Sequence, residues 1–259
     1  MLAKERQNII SELIKTKSAV TTAYLMEEFG ISDETVRRDL LALEREGKLR
    51  RVHGGAVIPT EMKPFMSFQS RIQSAKTEKG LLSELAVQTI NNGEIIGVDS
   101  GTTAVEFAEA LLHSPLELTV VTHSLDVFSI LSQSSNFRLI LCGGHFLKDE
   151  NAFHGMLTLE TLKNLHVQKA FVFPSAVSLS QGICDFNPEL AQVQRQLIES
   201  ASEVMVLADS GKFEANALLK ISDINSNFTF ITDPNLPDAL KQLYLENNIK
   251  IISSKGDLQ

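Results

Sequence analysis

The sequence contains no tryptophan and only two cysteines in 259 residues. Cys142 and Cys184 stand far apart and form neither a metal-ligand pair nor a redox pair, which fits a protein of the reducing cytosol. The first residues lack the charge pattern of a signal peptide, and no apolar run approaches membrane-spanning length. These absences predict a cytoplasmic protein with no membrane partner.

Several nucleotide, metal and nucleophile motifs are also missing. The chain has no GxxxxGK[ST] loop, no GxGxxG fingerprint, no HExxH helix and no recognisable elbow around a serine or cysteine nucleophile. Its six histidines are scattered along the sequence. We therefore expect no cofactor, no bound metal and no catalytic residue.

Charge is distributed unevenly along the chain. The formal net charge is −8, yet residues 1–58 carry ten Lys/Arg against nine Asp/Glu and so have a net charge of +1. An acidic remainder argues against general affinity for polyanions, but it allows DNA binding that is confined to one face.

The first 58 residues predict three short helices followed by a β-hairpin. Ile9, Ile10, Leu13 and Ile14 have helical spacing, and Thr21 and Ser32 are suitable N-caps for two further helices. Gly30 and Gly47 are suited to end those two helices. The segment KLRRVHGGAVI alternates around a Gly-Gly turn, as a two-stranded wing does. Together these elements predict a winged helix-turn-helix domain.

The third predicted helix buries Val36, Leu40 and Leu43, which leaves Arg38 on the opposite face and Arg37 beside the buried stripe. One interpretation is that both arginines only pair with Asp33 and Glu34 one turn earlier. Such pairs contribute only ~0.2–0.5 kcal/mol each, so DNA phosphates or guanine edges could displace them. The turn, the caps and the wing favour the DNA-binding interpretation.

Residues 59–77 contain two prolines and no clear period, and they predict a linker. From residue 78 to residue 259 apolar strand candidates alternate with helical stretches, which predicts a mainly parallel α/β domain. The strand candidates cover residues 94–99, 118–123, 137–143, 169–176, 203–209, 227–233 and 250–253.

Polar residues follow several of these strands, where open parallel sheets bind ligands. The segment DSGTT precedes a helix, so its amides and hydroxyls can converge on an anion, although a simple helix cap is an equal alternative. Lys212, in ADSGKF, is placed to clamp a phosphate over that loop. The predicted pocket residues are Asp99, Ser100, Gly101, Thr102, Thr103, Thr122, His123, Ser124, Gly143, Gly144 and Lys212.

With these motifs in order, the chain resembles the DeoR/GlpR family of bacterial transcriptional regulators over nearly its full length. FGISDETVRRDLLALEREGKLRRVHGGAV carries the most specific part of the resemblance, and DSGTT, VTHSL, KAFVF and ADSGKF carry weaker parts. The resemblance implies a C-terminal domain similar in fold to ribose-5-phosphate isomerase, which binds phosphorylated sugars or their metabolites. It also implies repression of a carbohydrate-metabolism operon.

Carried over by motif, the recognition helix contains Ser32, Thr35, Arg37 and Arg38, and the wing contains Arg50, Arg51 and His53. The phosphate loop is intact, but the sequence departs from the family at other positions. His123 replaces a common Asn, Gln168 a frequent Asp, and Gly211 a Ser before Lys212, while Ala176 and Cys184 stand where Gly and Thr are usual. The resemblance therefore does not identify which sugar the pocket binds.

Three functions remain open at the level of sequence. The leading hypothesis is a repressor that binds double-stranded DNA as a homodimer or homotetramer and is controlled by a phosphorylated sugar. The alternative is a sugar-phosphate isomerase with an accessory DNA-binding module. Such isomerases carry an acidic cluster where Pro174, Ser175 and Ala176 stand here, although Asp185 and Glu189 are nearby. The third is that the α/β domain serves only for oligomerisation.

Overall fold

The computed structural model describes residues 1–59, 62, 64 and 66–258. The N-terminal part contains three helices and three short strands. The helices are α1 (Ala3–Lys17), α2 (Thr22–Phe29) and α3 (Asp33–Arg45), and the strands are β1 (Ala19–Thr21), β2 (Arg50–Val52) and β3 (Gly55–Val57). The predicted winged helix-turn-helix is confirmed, with one addition. Because β1 pairs with β3, the wing is a three-stranded sheet of order β1-β3-β2.

Caps and buried residues explain why these helices begin and end where they do. The Thr21 side chain accepts a hydrogen bond from the Tyr24 amide at 3.1 Å, and the Ser32 side chain accepts one from the Thr35 amide at 3.4 Å. Gly30 ends α2 in the left-handed conformation, with φ of 61°. The apolar faces of the three helices share one buried cluster, whose members include Ile10, Ile14, Leu25, Val36, Leu40 and Leu43.

The C-terminal part is built on a seven-stranded parallel sheet of order β15-β14-β12-β9-β4-β5-β6. Its strands are β4 (Ile95–Val98), β5 (Leu118–Thr122), β6 (Phe137–Leu141), β9 (Val167–Val172), β12 (Ala201–Leu207), β14 (Phe228–Ile231) and β15 (Lys250–Ile252). All seven predicted strand segments contribute to it, which confirms the parallel α/β prediction.

Five further strands form antiparallel pairs outside the main sheet. The hairpin of β7 (His145–Leu147) and β8 (Ala152–His154) follows β6, and a small sheet contains β10 (Ala176–Ser178), β11 (Gly182–Asp185) and β13 (Leu219–Ser222). The predicted strand over residues 169–176 is thus divided between β9 and β10. Pro174 lies at the break, where its missing amide could not continue the ladder.

Helices cover both faces of the large sheet. They are α5 (Lys76–Val87), α6 (Thr102–Leu112), α7 (Leu125–Leu131), α8 (Met156–Lys163), α9 (Pro188–Glu199) and α10 (Asp238–Glu246). Helices α5, α6 and α7 share one buried cluster with the sheet, while α8, α9 and α10 share another. Burial on both faces explains the near-continuous apolar strands.

The segment predicted as a linker contains regular structure. Helix α4 (Phe68–Gln73) begins at the cap Ser67, and α5 begins at Lys76, so its first two residues fall within the predicted linker. Residues 60, 61, 63 and 65 of that segment lie outside the described residues. Within the described part of the chain, no helix is long and apolar enough to cross a membrane.

Candidate functional site

The loop between β4 and α6 forms the floor of a pocket at the carboxyl edge of the sheet. Gly101 is the N-cap of α6 with φ of 109° and ψ of 176°, and no described side chain caps the helix. The first amides of α6 are therefore available to a ligand. Ser100, Gly101, Thr102 and Thr103 all line this pocket, and their contact with an effector stays a prediction.

Three cationic side chains from separate elements surround this loop: Arg71 from α4, Lys79 from α5, and Lys212 from the turn after β12. Lys79 Nζ donates to Thr102 Oγ1 at 3.0 Å and to the carbonyl of Ser74 at 2.7 Å. Lys212 Nζ donates to the carbonyl of Pro174 at 2.8 Å. Positive charge and free helix amides thus converge on one small volume, which favours an anion.

Arg71 links the loop to a buried carboxylate. Its Nη2 lies 2.6 Å from Glu150 Oε2, and a side chain at Gly101 would approach its other terminal nitrogen to 4.0 Å. Burial raises the pKa of Glu150, while the Arg71 charge opposes that shift. Arg71 is therefore held beside the loop by a partner that lies inside the protein.

The charge on Lys79 is stabilised less well than that of an ordinary lysine. Burial, followed by the charges of Lys212 and Arg71, lowers the pKa of Lys79 to about 8, against the opposing effect of Asp209. A bound anion would supply the missing negative charge.

Acidic and amide groups form another part of the pocket lining. Asp185 accepts hydrogen bonds from Ser175 Oγ at 3.1 Å and from the Phe186 amide at 2.7 Å, and Gln194 Nε2 lies 3.3 Å from its other oxygen. Burial and the nearby charge of Asp99 raise the pKa of Asp185. This part of the pocket offers partners to the hydroxyl groups of a ligand.

Several residues predicted for the pocket lie behind it or beside it. Asp99 is fully buried, where it accepts from Gln194 Nε2 at 2.8 Å and lies 3.0 Å from His123 Nε2. The Thr122 hydroxyl accepts from the Ser124 amide at 3.0 Å, and Ser124 caps α7. Gly143 and Gly144 precede the β7–β8 hairpin and do not contribute to the described lining. None of these predicted residues belongs to the described lining of the pocket.

Helix α3, which the resemblance identifies as the recognition helix, presents two arginines to solvent. Arg37 Nε pairs with Asp33 at 2.6 Å and Arg38 Nη2 pairs with Glu34 at 3.0 Å, while the two arginine side chains are 69% and 75% exposed. Both pairs anticipated by the solvated-face interpretation are thus present. Their exposure leaves each arginine able to exchange its carboxylate for a phosphate or a base edge.

The wing residues have different environments. Arg51 is exposed, and its backbone amide donates to Glu44 Oε1 at 2.7 Å. His53 is exposed, and its carbonyl accepts from Asn247 Nδ2 at 2.9 Å. Arg50 points towards the C-terminal part, where its Nη2 lies 2.9 Å from Glu214 Oε2. Arg50 therefore does not share the exposed face of Arg51 in this structure.

The N-terminal part and the C-terminal part of the chain each match a known domain family, and both families are named after the same kind of regulator. Residues 6–62 match the "DeoR-like helix-turn-helix domain" and residues 74–234 match the "DeoR C terminal sensor domain". The chain belongs to the DeoR family. As a DeoR-family protein it is a DNA-binding transcriptional regulator with a sensor domain.

Full-length relatives of this DeoR-family protein include regulators from two bacteria. It is 31% identical to the HTH-type transcriptional regulator YulB of Bacillus subtilis, over 97% of this chain and 96% of that protein. It is 29% identical to the glycerol-3-phosphate regulon repressor of Escherichia coli, over 97% of this chain and 99% of the other. The similarity therefore spans both domains.

A solved structure of ribose 5 phosphate isomerase A from Neisseria gonorrhoeae aligns with part of the chain. The TM-score is 0.40 and the identity 16%, over 57% of this chain and 56% of that one. A structural similarity of this extent gives no information about the activity of this protein.

Proposed function

We propose that this DeoR-family regulator represses a carbohydrate-metabolism operon and that a phosphorylated sugar or related metabolite controls its binding to the operator. The single observation that carries the proposal is the convergence of Arg71, Lys79 and Lys212 on the uncapped start of α6. A phosphate ester carries about −1.5 to −2 charges near neutral pH, and so it matches this arrangement.

The rest of the pocket supports a polyhydroxylated ligand. Asp185 and Gln194 lie in the same lining as the cations and present carboxylate and amide groups. Hydroxyl groups of a sugar can both donate to and accept from such side chains. We infer a ligand with a phosphate at the α6 end and hydroxyl groups towards α9.

For the DNA, we propose that Ser32, Thr35, Arg37 and Arg38 at the start of α3 contact the operator, with Arg51 and His53 in the wing. One small module makes few contacts, so a homodimer or homotetramer on repeated sites would supply the required affinity. Such a regulator would act in the cytoplasm.

We further propose that the protein is not an enzyme. The competing candidate, a sugar-phosphate isomerase, is supported by one observation: the Asp185 carboxyl lines the pocket. Against it, Pro174, Ser175 and Ala176 offer no carboxylate at the place where such isomerases carry an acidic cluster. Incubation with ribose 5-phosphate, followed by an assay for ketose, separates the two, because a regulator converts none of it.

The test of the proposed function combines DNA selection with ligand titration. Duplexes bound by the full chain are selected from a random pool, and their affinity is measured with and without ribose 5-phosphate, glycerol 3-phosphate and inorganic phosphate. A coupling of ~1–3 kcal/mol predicts a change in operator affinity of about 5- to 150-fold with the effective ligand. Thermal unfolding that no phosphate compound shifts would instead support a pure oligomerisation domain.

Anion affinity is expected to fall as the pH rises through about 8, the pKa of Lys79. A bound phosphate ester stabilises the protonated lysine, so binding above that pH must take up a proton. The affinity then decreases by up to about tenfold per pH unit, because one proton is linked to binding. Calorimetry with ribose 5-phosphate at pH 7.5, 8.5 and 9.5 measures this slope.

The matched control for the pH dependence is Lys79→Arg. Arginine keeps its charge throughout this range, so the variant should lose the slope even if its affinity is lower. If the dependence of anion affinity on pH is unchanged in Lys79→Arg, the proton taken up on binding belongs to a group other than Lys79.

A further inference from the structure

A buried ion pair joins the wing to the sensor domain. Arg50 Nη2 lies 2.9 Å from Glu214 Oε2, and the two side chains are 22% and 2% exposed. The Nε atom of Arg50 is buried as well, with no hydrogen-bond partner among the described residues. Glu214 is therefore the principal partner that compensates this inward-facing guanidinium.

Glu214 is held in place by groups of the sensor domain. Its Oε1 accepts from the Tyr244 hydroxyl at 2.8 Å and from the Leu179 amide at 3.0 Å. Burial raises the pKa of this carboxyl, while those two hydrogen bonds and the charge of Arg50 act in the opposite direction. The backbone of Glu214 has φ of 48°, a conformation that is uncommon for a residue with a side chain. Several contacts thus fix one unusual conformation.

The same short segment reaches the ligand pocket. Asp209 and Lys212 line the pocket, and a 3₁₀ turn joins them over Ser210–Lys212. Glu214 follows Lys212 by two residues, with Phe213 buried between them. A movement of this turn towards a bound phosphate would therefore act on the backbone that carries Glu214.

At the other end, Arg50 belongs to β2, whose neighbours in sequence form the exposed wing. Side chains alternate along a strand, so Arg51 faces away from Arg50 towards solvent. The turn after β2 also contacts the sensor domain, because the His53 carbonyl accepts from Asn247 at the end of α10. A displacement of β2 at Arg50 would therefore act on Arg51 and His53, its neighbours in the wing.

We propose that Glu214 is a positioning residue that couples occupancy of the anion pocket to the placement of the wing through Arg50. This inference rests on the proposed function, since it requires a ligand at Lys212. It adds the residue that carries the signal between the two domains.

Tyr244 provides a direct signal for this contact. The chain has two tyrosines and no tryptophan, so Tyr24→Phe leaves Tyr244 as the only strong ultraviolet emitter. A phenol that donates to a carboxylate emits weakly, and emission rises when the hydrogen bond is lost. Titration of the Tyr24→Phe protein with ribose 5-phosphate and with inorganic phosphate should change Tyr244 emission with the same midpoint as binding measured by calorimetry.

Two substitutions at Glu214 separate the role of its charge from that of the whole side chain. Glu214→Gln keeps the size and an acceptor for Leu179 but removes the charge that pairs with Arg50. Glu214→Gly removes the side chain and suits the positive φ. Both should bind ribose 5-phosphate within about threefold of the parent. The ratio of operator affinities with and without the ligand should nevertheless fall from about 5–150-fold to below about twofold.

Matched controls separate this role from a general loss of charge or stability. Asp223→Asn removes the carboxylate of an exposed ion pair with Lys220 in the same domain and should retain the full ratio. Arg50→Met should reproduce Glu214→Gln, and the double variant should be no worse than either one. A merely structural Glu214 would change melting temperature without changing the ratio.

The outcomes distinguish the two proposals. A parent protein that binds no phosphate compound overturns the proposed function, and this inference with it. Suppose instead that the parent binds the ligand and its operator affinity responds. If the logarithm of the ratio of operator affinities with and without ligand stays above half its parental value in both Glu214→Gln and Glu214→Gly, only the role of Glu214 is overturned.

Discussion

Arg38→Ala is expected to weaken operator binding by about 5- to 150-fold, which corresponds to the ~1–3 kcal/mol of a good contact between arginine and a base edge. Arg38 lies on the exposed face of α3, near the end that would enter the major groove. Its present partner is Glu34, which is itself 83% exposed. Exchange of that carboxylate for DNA therefore costs little, and the arginine has no part in the buried core of the domain.

A gel-shift titration with a selected duplex measures the effect, and Glu34→Ala is the matched control. That variant removes the other half of the same ion pair but keeps the arginine, so operator affinity should be unchanged or slightly higher. Melting temperatures of both variants should match the parent, since surface pairs contribute little to stability. Undiminished operator binding by Arg38→Ala would contradict the proposal that α3 contacts the operator bases.

The elements were predictable because local patterns decide them. The stripe of Val36, Leu40 and Leu43, the caps Thr21 and Ser32, and the apolar strands all follow from spacing and residue type. The short antiparallel strands outside the predicted wing hairpin were missed, and so was helix α4 in the predicted linker. Those strands depend on partners distant in sequence; β1, for example, pairs with β3 through residues 19–21 and 55–57.

The pocket was predictable only where it follows a strand. Residues 100–103 and Lys212 stand directly after predicted strands, and the structure brings them together. Arg71 and Lys79 could not be found in this way. Arg71 lies in the segment without a clear hydrophobic period. Lys79 has the sequence pattern of an exposed helix residue, and only tertiary packing buries it against Thr102.

The environment of Arg50 shows a different limit. A pair of adjacent arginines on a strand must place one side chain on each face. Sequence alone does not say which face meets the sensor domain, because Glu214 is 164 positions away along the chain. The two wing arginines thus have separate environments despite their identical residue type.

Gly101→Val is expected to reduce affinity for ribose 5-phosphate by at least about 100-fold, because two or more charge-assisted hydrogen bonds of ~1.5–3 kcal/mol each would be lost. Gly101 has φ of 109° and ψ of 176°, a region that is essentially restricted to glycine. The added Cβ would lie 4.0 Å from Arg71 Nη1, so the cost comes from the backbone conformation rather than from a collision. The loop must then move, and the α6 amides no longer converge on the anion.

Gly143→Val is the control for this experiment, because it changes another glycine that was predicted for the pocket from sequence. Its added Cβ meets no atom within 4 Å, and Gly143 lies outside the described lining. Calorimetry should therefore find ribose 5-phosphate binding by Gly143→Val within about threefold of the parent. Gly101→Val should bind the operator with normal affinity but no longer respond to the ligand, since Gly101 lies in the sensor domain and α3 in the helix-turn-helix domain. Equal losses in the two variants would place the ligand nearer to the β7–β8 hairpin than to the start of α6.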